Sequence, residues 1–158
     1  MKQIVITLLF AFVIHVSFAQ ENDYYPDKQG DNDKKVAINL GVMMGGGSLL
    51  GVDFEVMPVN RFGIQAGVGL SSFGFGLNYH FKNRINSPFL SFVYWQQGLK
   101  ENHYASYVGP MYNFRLKKVL QFGIGYGIVV DKGPAIQGTK FEDVTSALLY
   151  NIGIFFPL

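Results

Sequence analysis

From Val36 onward, apolar side chains fall on every second position, with no run at helical spacing. Period two is the signature of strands with two unlike faces. Val36–Met43 carries Val36, Ile38, Leu40 and Val42 on one face, and Leu49–Met57 carries Leu50, Val52, Phe54 and Val56. Arg61–Leu70 presents Phe62, Ile64, Ala66, Val68 and Leu70, and Phe73–Lys82 presents Phe73, Phe75, Leu77, Tyr79 and Phe81. Pro88–Gln97 is apolar on both faces, so its parity stays open, and Tyr104–Phe114 follows it. Val119–Val130 alternates Leu120, Phe122, Ile124, Tyr126, Ile128 and Val130, and Ala147–Phe156 alternates Leu148, Tyr150, Ile152, Ile154 and Phe156. The pattern predicts an all-β chain of eight strands.

The opposite faces carry mostly Gly, Asn, Gln, Ser, His and a few carboxylates rather than Lys and Glu. Small and amide side chains suit a narrow interior better than a solvated exterior. The apolar face is then the outer one, as in a barrel that meets lipid and encloses a polar lumen. The runs have the length of tilted transmembrane strands, about 9–11 residues. Only closure into a barrel satisfies the backbone of such strands in lipid. The predicted fold is an eight-stranded antiparallel up-and-down transmembrane β-barrel over 36–158. The alternative is a soluble secreted or periplasmic barrel that binds a small apolar ligand.

Composition sharpens this. Of 158 residues, 19 are Gly, 16% are aromatic and only 15% are charged. The net charge of +2 lacks the basic excess of a nucleic-acid binder. With no Cys there are no disulfides and no thiolate metal sites. Met1–Ala19 (MKQIVITLLFAFVIHVSFA) has a basic start, an apolar run and small residues before a cleavage point after Ala19, which reads as an export signal preceding the barrel. Residues 20–35 (QENDYYPDKQGDNDKK) read as a polar disordered tail, and their spacing does not match a calcium loop.

Pairing like faces across each turn sets an expected register. Turns at Gly45-Gly46-Gly47, Pro58-Val59-Asn60 and Ser71-Ser72 place Asn39 opposite Asp53, Asp53 opposite Gln65, and Gln65 opposite Asn78. The same register puts Gly41, Gly51, Gly67 and Gly76 on one level, and Glu55, Gly63 and His80 on another. Asn39, Asp53, Glu55, Gln65, Asn78 and His80 are therefore expected to form a polar network in the lumen. Arg61 and Lys82 lie one step beyond as possible countercharges to Glu55. Met43, Leu49, Met57, Tyr107 and Met111 are expected to face inward, giving a plugged lumen rather than a wide pore.

The export signal, the alternating strands, a band of Phe62, Phe81, Phe114, Phe122 and Phe156 at one strand end, and the closing run Tyr150-Asn151-Ile152-Gly153-Ile154-Phe155-Phe156 together carry a resemblance. On these features residues 36–158 resemble the small eight-stranded, porin-like outer-membrane β-barrels of Gram-negative bacteria, among them the barrel portion of outer membrane protein A. The closing run is followed by Pro157-Leu158, a departure from the C-terminal pattern of that group. The resemblance implies residence in the outer membrane, contact with its lipid, a monomer, and delivery by barrel-assembly machinery that reads the C-terminal strand. It also implies that both barrel-strand termini face the periplasm. The outer loops are then 44–48, 71–72, 98–103 and 131–144. The last is the longest and carries Asp131, Lys132, Lys140, Glu142 and Asp143 as a candidate contact surface for an extracellular partner.

Chemistry finds little purchase in the pattern. A lipid-modifying barrel enzyme would need a Ser, a His and an orienting carboxylate. Outside the signal, His80 and His103 are the histidines. His80 has Glu55 near it but no Ser. His103 and Ser106 are three apart, which on a strand puts them on opposite faces. The expected role is structural or surface interaction, with no catalytic residue, no metal and no cofactor assigned.

Overall fold

The structure is a computed structural model that describes residues 34–116 and 119–158. The expected export signal and tail residues 20–33 lie outside the described residues. Eight antiparallel strands run in order around a closed barrel, each paired with its chain neighbours and β1 with β8. They are β1 (Val36–Val42), β2 (Gly51–Val59), β3 (Phe62–Gly69), β4 (Ser72–His80), β5 (Phe89–Gln97), β6 (Ala105–Leu116), β7 (Leu120–Lys132) and β8 (Ser146–Pro157). The alternation predicts each of these strands to within a few residues.

Paired residues followed once around the barrel reveal its stagger. The path from Phe156 passes through Ile38, Phe54, Ala66, Phe75, Tyr94, Val108 and Ile128 and returns to β8 at Ser146, ten residues from its start. A stagger of ten over eight strands tilts them about 40° from the barrel axis.

The two faces are sharply unlike. Leu50, Val52, Ile64, Leu77, Ile124, Ile128, Leu148 and Ile152 are exposed on the outside, while Asn39, Asp53, Glu55, Asn78, His80, Asn113, Arg115 and Gln121 are buried inside. β5 resolves its ambiguous parity by turning Phe89, Ser91, Val93 and Trp95 inward. At the end shared by the start of β1 and the finish of β8, outward rings form a chain: Phe62 to Tyr79 at 5.3 Å, Tyr79 to Phe81 at 6.3 Å and Phe81 to Tyr112 at 6.0 Å between centroids. We call this the termini end, and the opposite end the far end.

Connections plug both mouths. At the termini end the β4–β5 connection sends Ile85 inward against Ala37 and Met57. At the far end Met44 is fully buried, and Ile136 packs with Val93, Trp95, Ala105, Tyr107, Met111 and Leu149. The β1–β2 connection therefore folds back into the barrel rather than standing outside it. Gly46 makes this possible: its φ is +83°, and a Cβ there would meet the Phe73 carbonyl oxygen at 1.9 Å. Leu49, expected inside, is instead exposed, and its neighbour Ser48 is buried.

Two registers differ from expectation by two residues. β2 closes on β3 through Val59 opposite Phe62, with a bulge between Val56 and Val59 and Arg61 at φ +66°. A two-residue turn plus one bulge residue keeps the parity of the expected three-residue turn but moves its centre. β3 turns into β4 through Leu70-Ser71, because Ser72 belongs to β4 and donates from Oγ to the Gly45 carbonyl at 2.5 Å.

Candidate functional site

The polar interior is arranged around a buried ion pair. Glu55 on β2 accepts from Arg115 Nη2 at 2.5 Å and from His80 Nε2 at 2.9 Å, and all three side chains are fully buried. Asn78 Nδ2 also donates to Glu55 Oε1. The His80 contact fixes a proton on Nε2, and its Nδ1 lies 3.2 Å from Ser87 Oγ, so a serine from the β4–β5 connection does stand beside His80 where none was expected. Arg115 donates from Nε to Gln121 Oε1 at 2.8 Å, from Nη1 to the Ile85 carbonyl and from Nη2 to Asn39 Oδ1 at 3.4 Å. Its guanidinium carbon sits 4.5 Å from the Phe89 ring centre and 4.8 Å from that of Phe155. A buried charge is tolerable only when paired and hydrogen-bonded in this way.

A second chain of amides continues around the lumen. Asn78 Nδ2 donates to Gln65 Oε1 at 3.1 Å, Ser91 Oγ to Asn78 Oδ1 at 2.7 Å, Asn113 Nδ2 to Ser91 Oγ at 3.0 Å and Asn151 Nδ2 to Asn113 Oδ1 at 3.2 Å. Gly63 and Gly123 leave room for this chain: a Cβ on Gly123 would meet Asn113 Oδ1 at 2.4 Å.

The expected residues are thus inside, but not in the expected rows. Asp53 lies opposite Asn39 and Gly67, not Gln65; Gln65 lies opposite Glu55 and Gly76; Asn78 lies opposite Gly63 and Ser91. The row of Asn39, Asp53, Gln65 and Asn78 does not exist, because the shifted β2–β3 and β3–β4 turns slide Gln65 and Asn78 towards Glu55. The expected glycine level likewise becomes Gly153, Gly41, Gly51 and Gly69. Asp53 serves the far-end plug instead, accepting from the Gly45 amide at 3.1 Å. Arg61 and Lys82 are exposed and do not reach Glu55.

The expected network lacks Arg115, Gln121, Ser91, Asn113 and Asn151, and of these Arg115 matters most because it carries the countercharge of Glu55. The strand predicted over Tyr104–Phe114 stops one residue short of Arg115, which shares the inward parity of Tyr107, Met111 and Asn113, so extending that alternation by one residue finds it. Buried Asn39 Nδ2, Gln121 Nε2 and Asn151 Oδ1 have no hydrogen-bond partner among the described residues. Ordered water is the usual partner for such groups. No group of three or more His, Cys, Asp or Glu side chains among the described residues is placed to hold a metal.

The long connection also differs from its expected form. Asp131 and Lys132 belong to β7, so the connection runs over 133–145. Its base enters the barrel at Ile136, which is buried like Gly133, while Pro134, Ala135 and residues 137–143, with Lys140, Glu142 and Asp143 among them, are exposed. Glu142 binds the tip to itself, accepting from the Gly138 amide at 2.9 Å, and its carbonyl accepts from Lys132 Nζ.

One pairing excluded by strand parity is present. His103 precedes β6, so the alternation does not govern it, and its Nε2 lies 3.1 Å from Ser106 Oγ. No protein-family model matches this chain, and neither a curated protein nor a solved structure is significantly similar to it.

Proposed function

We propose that this chain is an integral outer-membrane β-barrel with a structural or surface-interaction role, its lumen closed to solute flow. The observation that carries the reading is the inversion of faces: exposed Leu, Ile, Val and Phe cover the outside, while a Glu–Arg–His cluster and a chain of amides fill the inside. Water would favour the reverse arrangement, and exposed apolar surface this continuous marks contact with lipid or a partner. Ile85 at one mouth and Met44 and Ile136 at the other support a plugged lumen.

The termini end would face the periplasm, β8 would serve as the strand read during assembly, and outer-membrane lipid would be the principal partner. The lumen charges act as a structural clamp across β2, β4 and β6. Cell fractionation combined with electrophoresis of unheated and heated samples tests this. The protein should partition with the outer membrane and change mobility on heating. A chain recovered in the soluble fraction without detergent would instead favour a soluble barrel.

A further inference from the structure

We propose that Ser106, His103 and Asp131 form a serine-hydrolase site on the outer face of the barrel at its far rim, acting on the acyl ester of a membrane lipid. The choice of a lipid ester rests on the reading that the outer face meets lipid; the triad itself does not.

The geometry comes from three local features. Ser106 has the outward parity of Val108 and Tyr112 on β6. Across the β6–β7 pair the register slips between Ser106 and Tyr107, so that Ser106 faces Asp131 while Tyr107 faces Val129. Val130 is the extra residue. In an unbulged ladder Val130 would face Ser106 and Asp131 would share the inward parity of Val129; the bulge turns Asp131 out beside Ser106, the re-aiming that bulges provide next to functional sites. His103 is then set between them: its Nε2 is 3.1 Å from Ser106 Oγ and its Nδ1 is 3.7 Å from Asp131 Oδ2. This is the order of nucleophile, base and orienting carboxylate that acyl transfer requires.

The base is held from the other side as well. The His103 carbonyl accepts from the Ala135 amide at 3.0 Å, and a Cβ on Gly133 would lie 2.0 Å from that carbonyl oxygen and 2.6 Å from the imidazole Cγ. The tight seat of the β7–β8 connection against His103 therefore depends on glycine at 133. The expectation that His103 and Ser106 could not meet came from treating His103 as part of a strand.

In the reaction, Ser106 Oγ attacks the ester carbonyl carbon and its proton passes to His103 Nε2. Collapse of the tetrahedral species breaks the bond to the alcohol, which leaves with that proton. Water then attacks the acyl-serine, again giving a proton to His103, and the carboxylic acid departs as Ser106 recovers its hydrogen. The Tyr94 hydroxyl caps the nucleophile, donating to Ser106 Oγ at 3.2 Å. Ser106 has no exposed surface, so substrate entry requires Tyr94 to swing aside, and Gln96 Oε1 at 3.2 Å offers its hydroxyl another acceptor. Below the site, exposed Phe92 and Ile128 provide apolar surface for an acyl chain.

The test uses the full chain refolded in detergent micelles, with heat-dependent mobility confirming the barrel. A small fluorophosphonate should add covalently to Ser106, located by mass spectrometry, and p-nitrophenyl palmitate in the micelles should be cleaved faster than p-nitrophenyl acetate. Ser106→Ala should abolish the adduct and lower ester turnover at least about a hundredfold. Asp131→Asn, at an exposed position, should lower kcat about tenfold with KM unchanged, as expected of a positioning residue. A folded wild-type barrel that acquires no adduct overturns the proposal. Adduct formation in a protein that fractionates as soluble supports the triad but overturns the lipid substrate.

Discussion

Glu55 and Arg115 sit where neither can be solvated, so each depends on the other. Arg115→Met leaves Glu55 with His80 and Asn78 alone, and loss of one partner of a buried pair costs about 3–5 kcal/mol. Glu55→Gln leaves the guanidinium with neutral acceptors and should also destabilise. The double variant should be less destabilised than the two single losses combined, because neither charge is then stranded. Urea titration of the barrel, read by the heat-dependent gel shift, checks this; strict additivity would mean that the pair is not coupled. Much of this site was legible residue by residue, since alternation alone turns Asn39, Asp53, Glu55, Gln65, Asn78 and His80 inward. What it could not supply was their vertical order. That order depends on one bulge residue near Pro58 and on Ser72 leaving the turn, and neither changes the parity from which the register was argued.

At the scale of elements, the strands were legible and the plugs were not. Met44, Ile85 and Ile136 lie in connections, where no periodicity signals burial. The β1–β2 connection is held by Asp53, by Ser72, and by Gln97, which donates to the Gly47 carbonyl at 3.2 Å. Gly46→Ala forces a Cβ into the Phe73 backbone at a left-handed φ, so the connection should leave the lumen. Limited proteolysis should then cut within 43–50 in the variant and not in the parent; equal resistance would show that the connection tolerates the added carbon. The β7–β8 connection behaves differently at its tip, where Gly138 has nothing within 4 Å of the position a Cβ would take. An epitope inserted at Gly138 should leave the fold intact and be labelled on whole cells. Labelling only after the outer membrane is permeabilised would reverse the assigned orientation.

For the whole molecule, the stagger, the closed sheet and the inverted faces act together. Closure leaves no strand edge, and a lumen filled by side chains and returning loops leaves the apolar exterior as the surface that must find a non-aqueous partner. Ile124 lies in the middle of β7 with its side chain outward, between the inward Gly123 and Gly125. An Arg at Ile124 should cost about 2–4 kcal/mol if that position is near mid-bilayer. The chain has no cysteine, so a single Cys at 124 can carry a spin label without any background site. The direct test is the accessibility of that label in the barrel reconstituted into lipid bilayers. The account predicts strong relaxation by oxygen dissolved in the lipid and little by a water-soluble nickel chelate; the opposite pattern would contradict a lipid-facing exterior.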